Sequence, residues 1–333
     1  MRYRIGVVIV ARNHAKYIRD CIASLEAQES VDLVIRLGDN ASEDGTLAIA
    51  REAIAASGRF DDVAYFEGDG DGWSDLFRRA ILALPRGLDG ITLISGDDLY
   101  RPNVLGRFVE LLHGSFDKPP LVVTGLLRKV TEELAPMQWF YAHRPGGAGA
   151  YASGDPLDIL VQTGTTVPMM GMFTPRALEV AAEYLEGLKY VDDAAIFAAL
   201  CELEGSILHV PVHMSDYRQH VSSASQSRRV DVHADTLRVF DRLRRRTGID
   251  LDHARDRSRR SLLMELGLVV ARRDQWKKFP YAFDAAVADW MASRPGAAQA
   301  ARDAGAFAEG LIRGAVRLVR APGGGWRIGA RGR

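Results

Sequence analysis

Apolar positions early in the chain follow two rhythms, short continuous runs and stripes at helical spacing. Ile5 to Val10 is a β-branched apolar run bounded by polar residues, the pattern of a strand buried on both faces. Ile18, Cys21, Ile22 and Leu25 then recur at helical spacing. A second apolar run, Val31 to Leu37, stops at the turn signal Gly38-Asp39-Asn40. Thr46 is placed to cap a helix that turns Leu47, Ala50, Ala53 and Ile54 inward and stops before Gly58. Val63 to Phe66 predicts a third short strand, and Ser74 is placed to cap a third helix with Leu76, Phe77, Ala80, Ile81 and Leu84 on one face. Ile91 to Ile94 predicts a fourth strand that runs straight into Ser95-Gly96-Asp97-Asp98. Asn103 is placed to cap the helix after it, which carries Val104, Leu105, Phe108, Leu111 and Leu112.

This alternation predicts an α/β fold, a mostly parallel sheet covered by helices. Ligands of such sheets bind outside the carboxyl ends of the strands. Three polar clusters fall at those ends: Arg12-Asn13, Gly38-Asp39 and Gly96-Asp97-Asp98. The middle of the chain is less regular. Pro145 to Gly154 reads as a Gly-rich mobile loop, and Thr174-Pro175 as a helix start with Pro at the first helical position. Asp192-Asp193 opens a helix carrying Ile196, Leu200 and Leu203, and Ile207 to Val212 predicts a further strand. From about Val230 the pattern is helical and Arg-rich, without strand signals.

Composition narrows the class. The 333 residues are 47% hydrophobic, enough for a core without disulfides or structural metals. The 43 Lys and Arg balance 43 Asp and Glu, so the whole chain makes no case for nucleic acid as partner. Cys21 and Cys201 each sit in an apolar helical pattern and read as small buried hydrophobes in a reducing compartment. Met1 to Val10 lacks the charged start and cleavage site of a signal peptide, and no window reaches the ~18 apolar residues of a membrane span. The expected location is the cytoplasm.

The C-terminal stretch is basic. Phe307, Leu311, Ile312, Ala315, Leu318 and Val319 fall on one helical face, with Arg313, Arg317 and Arg320 on another, before Pro322 and Gly323 to Gly325. Such a helix either packs on the rest of the protein or makes peripheral contact with the inner face of a membrane. Arg242 and Arg244 to Arg246 read as a solvated face.

Asp97 and Asp98 directly follow a buried strand, and carboxylates so placed suit Mg²⁺ or Mn²⁺ bridging a diphosphate. Taken alone they also read as a solvated acidic turn, Asp192 also reads as a helix N-cap, and His220 as a hydrogen-bonded loop histidine. Their neighbours add to this. Val8-Ile9-Val10-Ala11-Arg12-Asn13, Tyr17-Ile18 and Ser24 to Gln28 resemble the opening of family 2 glycosyltransferases. Gly38 to Thr46 resembles that family's nucleotide-binding turn, and Ile94 to Asp98 followed by Pro102 its metal-binding strand end. Asp192-Asp193 resembles the acidic pair that supplies its catalytic base. Tyr217-Arg218-Gln219-His220, with Ser222, Ser223 and Ser225, resembles its closing segment. Order and spacing hold over residues 5 to 225.

The resemblance implies a GT-A fold over residues 1–225, followed by a helical region over 226–333 with a basic tail. It implies metal-dependent transfer of a hexose-type sugar from a nucleoside-diphosphate sugar to a glycan or lipid-linked acceptor hydroxyl, most often with inversion, as in polysaccharide biosynthesis. Asp39 would then meet the nucleotide base, with Ala11, Arg12 and Asn13 lining the donor pocket and Asp71 touching the donor. Asp97 would hold the Mn²⁺ or Mg²⁺ ion, with Asp98 close by and His220 as a further ligand. Asp193, beside Asp192, would take the acceptor proton. Two departures stand out. Ser95 replaces the first acid of the family's usual Asp-x-Asp, so the metal would rest chiefly on Asp97. Gly70-Asp71-Gly72-Trp73 stands where the family carries an Asn-x-Gly segment, and it also reads as a plain turn. These departures keep open a degenerate fold that binds nucleotide-sugar or glycan without turnover. A sugar-phosphate nucleotidyltransferase would carry a Gly-rich basic loop where this chain has Ala11-Arg12-Asn13-His14.

Overall fold

A computed structural model describes residues 2–140, 152–154, 170–220, 229–249, 316–320 and 326–330. The chain divides into two compact units, residues 1–223 and 224–333. In the first, strands and helices alternate as β1 (Tyr3–Ala11), α1 (Ile18–Glu26), β2 (Val31–Asp39), α2 (Thr46–Ser57), β3 (Asp62–Glu67), α3 (Ser74–Leu82) and β4 (Gly90–Ser95). Then come β5 (Leu99–Tyr100), α4 (Val104–Leu112), β6 (Pro120–Val130), β7 (Pro136–Phe140), β8 (Ala152–Gly154) and β9 (Met172–Phe173). The unit ends with α5 (Pro175–Leu185), α6 (Asp193–Glu202) and β10 (Ser206–Arg218).

The strands form one sheet in the order β3-β2-β1-β4-β9-β6-β10-β5, with β7 on β6 and β8 on β10. The β3-β2-β1-β4 half is parallel, as is β6 against β10, while the short β9 joins the halves antiparallel to both β4 and β6. The apolar run of β1 follows from this position. Helices cover both faces, and from Ile5 onward every β1 residue is buried. Ile5, Val7 and Ile9 pack with Ile18, Ile22 and Leu25 of α1 and with Leu105 and Phe108 of α4. Each fully buried side chain of this kind contributes about 1.5–3 kcal/mol.

Register fixes where the strands end together. Ala11 pairs with Asp39, Asp39 with Glu67, and Val10 with Ser95. The carboxyl ends of four parallel strands therefore share one sheet edge, as the polar clusters predicted.

Several local expectations change. Thr46 and Ser74 are first helical residues rather than caps, and Gly45 and Trp73 hold the cap positions. Both hydroxyls serve long-range contacts instead. Asn103 does hold a cap position, but its Oδ1 accepts from the Glu29 N–H, 2.8 Å away. Thr174 caps α5 as expected, accepting from the Ala177 N–H at 3.3 Å. Of the expected Gly-rich loop, Ala152–Gly154 is a strand on β10 and the rest lies outside the described residues.

In the second unit α7 spans Arg229–Thr247, and Gly248 follows it with a positive φ of 77°. The basic helix expected to end near Arg320 is corrected in part. Val316–Arg320 is a strand, β11, paired antiparallel with β12, Trp326–Ala330. Val316-Arg317-Leu318 alternates with a period of two, which suits a hairpin as well as a helix. Two strands, rather than helix alone, therefore close this unit, and the helical face on which membrane contact rested is not formed there. The remaining residues of that face lie outside the described ones. No described helix is long and apolar enough to cross a membrane.

Candidate active site

At the shared edge the β1 loop is stitched to the β2 loop by side chains. The Asn13 N–H donates to Ser42 Oγ at 2.9 Å, and Asn13 Oδ1 accepts from the Glu43 N–H at 2.9 Å. The His14 N–H donates to Thr46 Oγ1 at 2.7 Å, and the Ala15 N–H to Asp44 Oδ2 at 2.9 Å. Burial works to raise the Asp44 pKa, but hydrogen bonds from Thr46 and Ala15 outweigh it and hold the carboxyl below its usual range. Asn13 reaches this geometry with a positive φ of 54°, which Asn tolerates.

Asp39 ends β2 buried. Its Oδ2 accepts from the Ser42 N–H at 2.9 Å, while its buried Oδ1 has no hydrogen-bond partner. An unsatisfied buried carboxylate oxygen costs stability, so one kept at a sheet edge is ready for an incoming donor group. Arg12 donates to the Gly70 carbonyl, tying the β1 loop to the segment before α3.

The turn after β4 holds Asp97 and Asp98. Asp97 Oδ2 lies 2.7 Å from His220 Nε2, and Asp97 Oδ1 lies 3.7 Å from His14 Nδ1. Ligand atoms of His14, Asp97 and His220 all fall within 4.8 Å of one another. Asp97 Oδ1 and His14 Nδ1 are both buried without a hydrogen-bond partner. Burial pushes the His14 pKa down despite the nearby Asp97. For Asp97 burial acts upward, but the hydrogen bond with His220 and the His14 charge prevail and hold it below the usual carboxylate range. Two nitrogens and a carboxylate oxygen facing one point fit a divalent cation.

Asp98 does something else. Its Oδ1 accepts from the Arg218 N–H at 2.9 Å, and burial followed by the charge of Asp97 pushes its pKa well up. It lies outside the His14–Asp97–His220 group. Arg218 holds this turn from beneath. Its Nε donates to the Asp97 carbonyl at 2.9 Å, one terminal nitrogen to the Glu132 carbonyl at 3.0 Å and the other to Asp20 at 2.8 Å. The guanidinium also lies 4.7 Å from the Tyr17 ring centre, and Tyr17 lies 4.9 Å from the His220 ring.

The acidic pair sits where α6 begins. Its approach is clamped to the segment before α3. The Lys189 carbonyl accepts from the Trp73 N–H at 2.7 Å and the Ser74 N–H at 3.1 Å, and Ser74 Oγ donates to the Val191 carbonyl at 2.6 Å. Asp71 accepts from Tyr190 Oη at 2.7 Å and pairs with Lys189. Gly72 makes the clamp possible, because its φ is +105° and a Cβ there would lie 2.4 Å from the Lys189 carbonyl oxygen. Burial and then the Asp193 charge push the Asp192 pKa up to about 7, although Trp73 hydrogen-bonds to it. Asp193 Oδ1 lies 2.7 Å from the Ala194 N–H.

Ala11, Arg12, Asn13, Asp39 and Asp97 therefore meet at one sheet edge, with His220 joined to Asp97. Asp71, Asp192 and Asp193 lie on the clamped segments, where Asp71 contacts Lys189 and Tyr190 just before the acidic pair. Ser222, Ser223 and Ser225 lie outside the described residues. His14 was the residue that sequence reasoning passed over, since it shares no short spacing with Asp97 or His220. Its signal was position, two residues beyond Arg12 at a strand end.

Residues 6–165 match the family model described as Glycosyl transferase family 2. No curated protein matches the chain. Among solved structures the chain is similar to S. aureus TarS 1-349 in complex with UDP, at 14% identity and a TM-score of 0.55, covering 99% of this chain and 97% of that one. It is also similar to S. aureus TarS 1-349 in complex with UDP-GlcNAc, at 13% identity and a TM-score of 0.51, covering 99% of this chain and 100% of that one. At such identities the likeness shows the fold, and it is the expected GT-A one.

Proposed function

We propose that this chain, a glycosyltransferase with a family 2 domain over residues 6–165, moves a hexose-type sugar from a nucleoside-diphosphate sugar to a glycan or lipid-linked hydroxyl, inverting the anomeric centre. One observation carries the reading. Two buried carboxylate oxygens without partners, Asp39 Oδ1 and Asp97 Oδ1, stand at the same sheet edge. The first suits an N–H of a nucleotide base. The second, with His220 at hand, suits a divalent cation, Mn²⁺ or Mg²⁺. Residues 1–225 are then the catalytic domain and residues 226–333 a separate C-terminal region.

The roles follow from the chemistry. Asp39 fixes the base, and the Ala11–Asn13 segment, held by Ser42 and Thr46, shapes that wall of the pocket. Arg12, already anchored on Gly70, brings positive charge over the donor. Asp97 and His220 hold the cation, which as a Lewis acid supplies stabilisation of the leaving diphosphate. Asp193 takes the acceptor proton as the sugar transfers, a role worth about 10²–10⁴-fold in rate. Asp192 supports it. Burial and then the Asp193 charge push its pKa up to about 7, so its own charge responds to pH near neutrality beside the proposed base. S. aureus TarS holds UDP in one structure and UDP-GlcNAc in another, and a donor of this class is the one proposed here.

Calorimetric titration with UDP, GDP, TDP and CMP, each with and without Mn²⁺, tests the donor reading. One diphosphate should bind in a metal-dependent way and weaken in Asp97→Ala. No binding to any of the four would favour a degenerate fold. Asp193→Asn should lose turnover while keeping donor binding, and unchanged turnover would remove Asp193 from the base role.

A further inference from the structure

The expectation from sequence leaves the cation chiefly on Asp97, because Ser95 stands where an acid is usual. Around that aspartate the structure puts more than a lone carboxylate. His14 and His220 approach it from different elements, His14 from the turn that starts α1 and His220 from just beyond the end of β10. Their rings lie 6.0 Å apart at 87° to each other. The His14 side chain is 12% exposed, that of Asp97 9% and that of His220 1%, so the three surround a point largely shielded from water.

We propose that His14 is the third protein ligand of the donor-site cation, and that His14, Asp97 and His220 form a preassembled two-nitrogen, one-oxygen site that binds metal before the donor arrives. The proposal rests on the metal-assisted reading above and extends it to which ions the site prefers. Three facts support it. All three ligand atoms lie within 4.8 Å of one another. Ligands ~2.1 Å from a common ion are separated by about 3–4.2 Å, so small side-chain adjustments close the site. His14 Nδ1 and Asp97 Oδ1 are the two buried polar atoms of this group left without hydrogen-bond partners. An ion between them satisfies both at once.

The backbone keeps His14 in place. Its N–H donates to Thr46 Oγ1 at 2.7 Å, and its carbonyl accepts from the Tyr17 and Ile18 N–H groups at 2.8 Å each. His220 would hold the ion through Nε2, the atom that now lies 2.7 Å from Asp97 Oδ2. An acid at position 95 would have made an all-oxygen turn suited to Mg²⁺. Two imidazoles shift the preference toward Mn²⁺, Co²⁺ or Zn²⁺, because Mg²⁺ favours oxygen donors and holds its water tightly.

The test is Co²⁺ titration of the full chain without nucleotide, followed by visible d–d absorption and calorimetry. It is repeated for His14→Gln, Asp97→Ala and, as a control away from the site, His113→Gln. The expected result is saturable one-to-one binding to the unaltered chain and to His113→Gln, with a tenfold excess of Mg²⁺ displacing little Co²⁺. His14→Gln should weaken binding by about 10–100-fold and change the spectrum, a loss typical of one missing ligand contact. Circular dichroism on each variant confirms that the comparison is between folded proteins. A His14→Gln spectrum and affinity equal to those of the unaltered chain would overturn the proposal. If Asp97→Ala still lost the metal, the donor-site reading would stand without it. Absence of Co²⁺ binding to the unaltered chain would also overturn it, and Mn²⁺-dependent nucleotide binding would then judge the donor-site reading separately.

Discussion

Gly72→Ala is the substitution whose effect the structure sets most closely. Gly72 has φ +105°, and an added Cβ would lie 2.4 Å from the Lys189 oxygen and 2.8 Å from its carbonyl carbon. Backbone strain there costs about 1–3 kcal/mol for a residue with a Cβ. The clash falls on backbone, so it is relieved only by moving the Lys189 carbonyl away from the Trp73 and Ser74 N–H groups, which it accepts at 2.7 and 3.1 Å. Each lost hydrogen bond costs about 1 kcal/mol net. Together the loss is about 3–5 kcal/mol. For a unit of this size that lowers Tm by about 10 °C. Gly58→Ala is the control. It too has positive φ, +61°, but a Cβ there meets nothing within 4 Å, so only the strain of about 1–2 kcal/mol remains. Urea denaturation and scanning calorimetry of both variants decide the matter. A Gly72→Ala loss no larger than that of Gly58→Ala would refute the reasoning. Trp73 also bonds to Asp192, so Gly72→Ala should slow turnover about tenfold or more by misplacing the acidic pair, with Co²⁺ binding unchanged.

Other outcomes follow from the same geometry. Asp192 keeps its proton up to about pH 7 in the folded chain, whereas an unfolded aspartate loses it near pH ~4. Over that window the folded state binds more protons, so the contribution is full below it and stability falls as pH rises through it. Asp192→Asn should flatten that slope in Tm measured against pH; an unchanged slope would point to another group. The Arg218 side chain is 3% exposed and donates to the Asp97 and Glu132 carbonyls and to Asp20, so Arg218→Met, which leaves those buried carbonyls without a donor, should cost about 2–4 kcal/mol in urea denaturation. A loss under 1 kcal/mol would mean that the turn holds without it. Asp39→Asn puts an amide where one of two acceptor oxygens stood, so calorimetry should show nucleotide affinity about tenfold weaker with Tm little changed. Equal affinity would free Asp39 from base recognition.

Much of the first half was determined by the sequence itself. The runs Ile5–Val10, Val31–Leu37 and Ile91–Ile94 are strands because only burial on both faces tolerates such continuous apolar stretches. They end in polar clusters that the parallel register aligns. Asp39 and Asp97 could therefore be placed at one shared sheet edge from position, whereas Asp192–Asp193 was marked only by the family resemblance. Helix starts were less so. Thr46 and Ser74 have good capping chemistry, but their hydroxyls bond to His14 and Val191, partners distant in sequence that no local rule foresees. The strands β5 and β9 are two residues each, too short for a periodic signal, and exist because β4, β6 and β10 offer them ladders. At Val316–Arg320 the apolar spacing satisfies a helix and a strand alike, and pairing with Trp326–Ala330 decided for the strand. His14 marks the limit most clearly. Its place just past the β1 end is the one local hint, and it shares no ligand spacing with Asp97 or His220. It becomes one candidate of three because the α1 turn, the β4 turn and the end of β10 converge, and convergence of distant segments is set by tertiary packing rather than by local pattern.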